Sequence, residues 1–289
     1  MPASTSATVA AIERSLEALS TARINSDSYA DCFGSIWSLH DETLNIWTHM
    51  VAAGFYSITA LIHIIRRTTR SEPESCAILI FLVGAMLCFA FSALYHTFAN
   101  HSDAGFWQRM DHFGIATFIW AASSAFSIVC FAEHRLTQRL YTTAVTAFAL
   151  VSFYQLQHDV THWSEVSRAR FTTHALYGAL ASLPALHSAS VVPHRTSSAQ
   201  QQLLRSFAAF VILNTAGGII YATGVIEQMT KVRSTSVGTS HQVMHLFAMV
   251  GSWVFKQGIH SFYRSTMTSK RGSFDSGSMS ARSPCGIVE

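Results

Sequence analysis

Two histidines, His241 and His245, sit four residues apart in the otherwise apolar stretch SHQVMHLF. On a helix that spacing puts both imidazoles on one face, one turn apart. Two such imidazoles can reach a single metal ion. A second stretch, SALYHTF, carries Ser92 and His96 with the same separation, and a third, RMDHFGI, carries Asp111. Three neutral imidazoles from His96, His241 and His245 would hold zinc and leave one tetrahedral position for water, the pattern of catalytic rather than closed structural sites. Asp111 would bind that water or orient a ligand from behind. The same spacing also suits interhelical hydrogen bonding without a metal. A fourth polar cluster, HDETLNIWTH, brings Glu42, Thr43, Asn45 and His49, which would either cap a helix or support the site. A second pair of the same spacing, His158 and His162, falls in a polar connection and is read as solvated surface.

These groups must be positioned by a membrane protein. Of 289 residues, 49% are hydrophobic and only 12% charged, about half the charge of an ordinary soluble domain. Mean hydropathy is +0.28. Seven apolar stretches, near 44–65, 76–98, 107–131, 139–157, 171–191, 204–226 and 241–262, are long enough to cross ~30 Å of hydrocarbon. The expected fold is an all-α, seven-helix transmembrane bundle over 40–263. A polar region, 1–39, precedes it, partly helical or disordered. A Ser-rich, disordered tail, 264–289, follows it. Pro184 predicts a kink in the fifth span. Following the chain through seven crossings places all four polar clusters at one membrane depth, on the N-terminal side. Ionisable groups inside spans are costly, so each is a functional candidate. Asn214 is expected to bond between helices, Lys256 to snorkel, and His63, His174 and His187 to be satisfied within the bundle.

Several classes drop out. A net charge of +3 with no basic run gives no support for nucleic-acid binding. Five scattered cysteines support neither a disulfide framework nor a cysteine zinc finger. No cleavable signal peptide is expected, because Glu13, Arg14 and Glu17 stand where its apolar core would be.

The motifs HDETLNIWTH (40–49), SALYHTFANHS (92–102) followed by DHFGI (111–115), and SHQVMH (240–245) occur in this order. Together they resemble the progestin and adipoQ receptor family, related to haemolysin III, over residues 40–262. The resemblance implies seven helices around one zinc ion, with His96, His241 and His245 as ligands, Asp111 at the water-binding position and Ser92 as the helix 2 serine. It also implies that the N-terminus and the zinc lie on the cytosolic side of a plasma or internal membrane. The count of Arg and Lys in the connections leans the other way, and the family topology is taken as the expectation. Before SHQ many members carry a proline and an aspartate; here Ile226 replaces the proline and no aspartate precedes Ser240, while Tyr221 and Glu227 remain.

Three functions follow. One is a receptor-like regulator of lipid and zinc homeostasis that also hydrolyses a lipid amide, as a ceramidase does. There zinc would polarise the carbonyl, Asp111 would take the proton and Ser92 would hydrogen-bond near the carbonyl. The second is a non-catalytic receptor with structural zinc. The third, a haemolysin-like channel, lacks the expected stripe of charge along several helices. The membrane lipid concerned would be ceramide-like or a sterol, and the residues name no protein ligand.

Overall fold

Long apolar runs in lipid have one inexpensive solution, because every backbone group must be satisfied internally. The computed structural model describes residue 23 and residues 25–66, 73–158, 163–191, 197–230 and 239–280. Among them no strand forms, and one isolated bridge pairs Ser26 with His101.

A short helix, α1 (Tyr29–Ser35), is capped by the Ser28 hydroxyl, which accepts from the amide of Asp31. Helices then fill all seven predicted stretches. They are α2 (Thr43–Arg66), α3 (Pro73–Thr97), α4 (Ala104–Cys130), α5 (Arg135–His158), the broken pair α6 (Trp163–Ala181) and α7 (Leu183–Val191), α8 (Ser198–Thr223) and α10 (Ser240–Ser280). Among the described residues α2, α3, α4 and α8 are long and apolar enough to span a membrane by length and composition. The architecture is an all-α polytopic membrane bundle.

Local chemistry sets the boundaries. Pro73 opens α3, where a missing amide costs nothing. The fifth span breaks at Ser182, two residues before Pro184, as the ring of that proline requires. Ser197 and Gln200 form a reciprocal capping box at the start of α8. Gly224, at φ 58°, ends α8 in the left-handed conformation and turns the chain into α9 (Val225–Thr230). α10 continues as helix through Ser280, inside the stretch read as a disordered tail. Threonines help it along, Thr266 donating to Phe262 O and Thr268 to Arg264 O. The nearest proline, Pro284, lies beyond it. Residues 1–22 of the polar N-terminal region, and His162, fall outside the described residues.

Lipid offers little hydrophobic drive between helices, so close packing and hydrogen bonds must hold the bundle. Gly84 of α3 lies so near α4 that a Cβ there would come within 2.3 Å of Ala121 Cβ. Gly217 of α8 meets α10 the same way, 2.9 Å from Phe247 Cβ. Phenylalanines fill the centre: Phe126 stacks on Phe207 at 4.5 Å, and Phe255 sets its edge to both Phe81 and Phe207. Buried hydroxyls link helices, Tyr56 to Ser252 at 2.8 Å and Ser123 to Ala181 O at 2.8 Å. His63 bonds Ser75, His174 bonds His112 and Tyr141 bonds His187, so each of these histidines has a partner in the bundle. Lys256 rests its ammonium 5.0 Å from the Phe55 ring. Asn214 departs from expectation: its amide donates to Phe210 O of its own helix. The side chain lies against Gly251 of α10, which offers no side-chain acceptor. The outer face is apolar, with Ile58, Ile65, Leu136, Leu140, Leu150 and Ile212 exposed, as contact with lipid rather than water demands.

Candidate metal centre

His96 occupies the last turn of α3 and is buried. Its Nδ1 lies 2.8 Å from Glu42 Oε2. A carboxylate only accepts, so Nδ1 carries the proton and donates. Nε2 is then left as a bare lone pair, and it has no partner. Glu42, just before α2, is itself fixed by the Asn45 amide at 2.6 Å. Burial alone would raise the Glu42 carboxyl, but the bonds from His96 and Asn45 outweigh it and hold it below the ordinary carboxylate range.

His241 and His245 stand in the first two turns of α10. Thr239 and Gln242 pair reciprocally at the helix start, backbone amide to side chain in both directions at 3.4 Å. Glu227 reaches over from α9 and accepts from both the amide and the hydroxyl of Ser240. A carboxylate at a helix N-terminus also complements the macrodipole. The turn that carries His241 is therefore fastened from two sides. His245 Nδ1 is buried without a partner.

The three imidazoles converge. Ring centroids are 5.0 Å apart for His96–His241, 5.0 Å for His96–His245 and 4.6 Å for His241–His245. One nitrogen of each lies within 4.8 Å of the others. Buried ring nitrogens without partners are rare and need an explanation. A cation between them supplies one, and a metal such as zinc suits an all-imidazole donor set. The Glu42–His96 bond is the carboxylate–histidine arrangement that commonly orients a metal-binding imidazole.

Around this triad lie the other predicted residues. Ser92, one turn before His96 and buried, hydrogen-bonds Asp111 of α4. Asp111 is half-buried and within electrostatic reach of His96. His49 of α2 stacks on His245 at 3.7 Å and 20°, with Phe89 edge-on to it at 5.0 Å. His49 falls outside the mutually close donor group. Thr43 belongs to the loop instead, accepting from the His40 amide and donating to Ser38 O.

Two contributors carry no assigned role in the sequence reading. Arg23 donates to the backbone carbonyls of His96 and Thr97 and to Ser35 Oγ, closing the C-terminal end of α3. Nothing local in the sequence signals that contact, which spans more than seventy residues. Tyr221 sets its ring 4.9 Å from His241. Tyr221 and Glu227 were visible as retained family positions, which was the available signal.

A family model of haemolysin-III-related proteins matches residues 37–256, most of the chain. The adiponectin receptor protein of Drosophila melanogaster is 26% identical over 80% of this chain and 53% of its own length. Heptahelical transmembrane protein 1 of Arabidopsis thaliana is 26% identical over 78% of this chain and 70% of its own. An ADIPOR-like receptor of Eremothecium gossypii is 22% identical over 84% and 79% respectively. The chain thus spans about half the length of the Drosophila protein and more of the other two. With motif order, helical architecture and the family match in agreement, the chain belongs to the haemolysin-III-related (progestin and adipoQ receptor) family of multi-pass membrane proteins.

Proposed function

We propose that the chain holds one zinc ion on His96, His241 and His245 and hydrolyses an amide bond in a ceramide-like membrane lipid. The observation that carries the reading is the convergence of His96, His241 and His245, one nitrogen of each within 4.8 Å of the others, with His96 Nδ1 tied to Glu42. Zinc in such a site supplies a Lewis acid and a water whose pKa is lowered toward ~7.

The chain's own residues do the rest. Glu42 fixes the His96 tautomer and Asn45 fixes Glu42. Asp111 is the proton acceptor, and its hydrogen bond with Ser92 sets its direction. With substrate bound, the single Ser92 proton turns from Asp111 to the carbonyl oxygen of the scissile amide and holds it in place. The leaving amine takes its proton back from Asp111. The substrate enters sideways from the bilayer, because its hydrocarbon chains stay in lipid. The site and the N-terminus face the cytosol in this reading. The chain also acts as a receptor-like regulator, coupling lipid turnover and zinc homeostasis, consistent with the receptor names of its relatives.

The test is release of fatty acid from ceramide by purified protein, beside zinc content by mass spectrometry. Zinc bound, with turnover lost in His245→Ala, supports the whole reading. Zinc bound with no turnover on any sphingolipid leaves a receptor with structural zinc. No zinc in protein prepared without chelators sinks both.

A further inference from the structure

Far from the histidines, a groove of about 360 Å³ opens on the flank of the bundle between α3, α4 and α5. It is lined by Pro73 at the start of α3, the helix whose other end carries His96, so it lies at the opposite membrane face. Its apolar wall is Ile80, Trp120 and Ile128, and Arg135 and Gln138 stand at its rim.

The polar groups here are nearly all used. Gln138 donates to Ile128 O and accepts from Arg135. Trp120 donates to Thr146, whose hydroxyl donates to Thr142 O. Two donors are left over. Ser124 lines the groove, is 3% exposed, and its Oγ has no partner. Arg135 spends one N–H on Gln138, and among the described residues no carboxylate pairs with it.

We propose that this groove binds an anionic glycerophospholipid. The phosphodiester sits on the Arg135 guanidinium, an ester carbonyl accepts from Ser124 Oγ, and one acyl chain runs along Ile80, Trp120 and Ile128. Charge selects the headgroup, since a guanidinium without a carboxylate matches a phosphate. Depth selects a lipid over a free anion: Ser124 lies six residues, ~9 Å, inside the end of α4, beyond what an ion on Arg135 would reach. Surroundings select it again, because Leu136 and Leu140, 73% and 62% exposed beside Arg135, put the rim in the bilayer interface. A peptide there would leave backbone groups unsatisfied.

The experiment reads tryptophan quenching in vesicles of phosphatidylcholine holding the 289-residue chain. Acyl-brominated phosphatidylglycerol or acyl-brominated phosphatidylcholine is titrated in, and the Trp120 share is taken as the difference from Trp120→Phe. The expected result is half-maximal quenching of that share by phosphatidylglycerol at about five-fold lower mole fraction. Arg135→Gln removes the preference, and Ser124→Val weakens quenching by both lipids. Equal quenching by the two lipids in the wild type overturns the proposal without recourse to any variant. So does a preference that survives in folded Arg135→Gln, displacement by millimolar inorganic phosphate, or displacement by cholesterol at equal mole fraction.

Discussion

Glu42 Oε2 and His96 Nδ1 meet at 2.8 Å across 54 residues of sequence. The contact joins the loop before α2 to the last turn of α3 and fixes which nitrogen of His96 is free. Removing such a partner typically costs ten- to a hundred-fold in metal affinity. Glu42→Ala is therefore expected to weaken zinc binding by about that factor while leaving the helices intact. Glu42→Gln, which keeps an acceptor without the charge, should lose less. Chelator competition on purified protein measures both. Equal affinity in wild type and Glu42→Ala would show that His96 needs no such partner.

Metal removal should be felt in stability as well as in function. The triad joins α3 to α10, so a bound ion cross-links two helices distant in sequence. A ligand at a hundred times its Kd stabilises by ~2.7 kcal/mol. Stripping zinc with a chelator should lower the midpoint of thermal unfolding, and added zinc should restore it. His245→Ala, which also leaves a void, should melt below the stripped wild type and show no response to zinc. A chelator-insensitive midpoint in zinc-loaded protein would separate the site from the fold.

The α3–α4 seam makes a prediction about packing alone. A Cβ on Gly84 would meet Ala121 Cβ at 2.3 Å, and neither atom can rotate away. Gly84→Ala should destabilise by about 1–3 kcal/mol. Ala121→Gly in the same chain should recover part of that loss, because the two atoms are the clash. Denaturation of the two single variants and the double variant in one detergent gives the coupling; strict additivity would mean the helices separate freely.

How far the sequence carried the fold depends on what kind of information each feature needs. Seven apolar runs marked the helices, since lipid leaves no alternative for them. Pro184 marked the break at Ser182 because its ring acts within one turn. His96, His241, His245, Asp111 and Ser92 were legible as a group because topology returns their helix ends to one membrane depth. Arg23 was not legible: its partners are backbone carbonyls, which have no sequence signature. The intrahelical bond of Asn214 was misjudged for a related reason, since the facing residue on α10 is a glycine with no side chain to accept. The helix beyond residue 264 follows from continuity of backbone hydrogen bonding, which composition does not record.

His49 is the residue whose role the geometry separates most sharply from its type. It is a buried imidazole 3.7 Å from His245, yet it stands outside the donor group and packs as an aromatic plate between His245 and Phe89. If stacking is its contribution, a ring of similar size should serve. His49→Phe is expected to keep zinc near wild-type stoichiometry. His49→Ala, which removes the plate and leaves a void, should loosen His245 and cost about 3 kcal/mol of stability. Metal content and melting of the two variants together decide the matter. Loss of zinc in a folded His49→Phe would make His49 a ligand in its own right, and the site a four-histidine one without an open position.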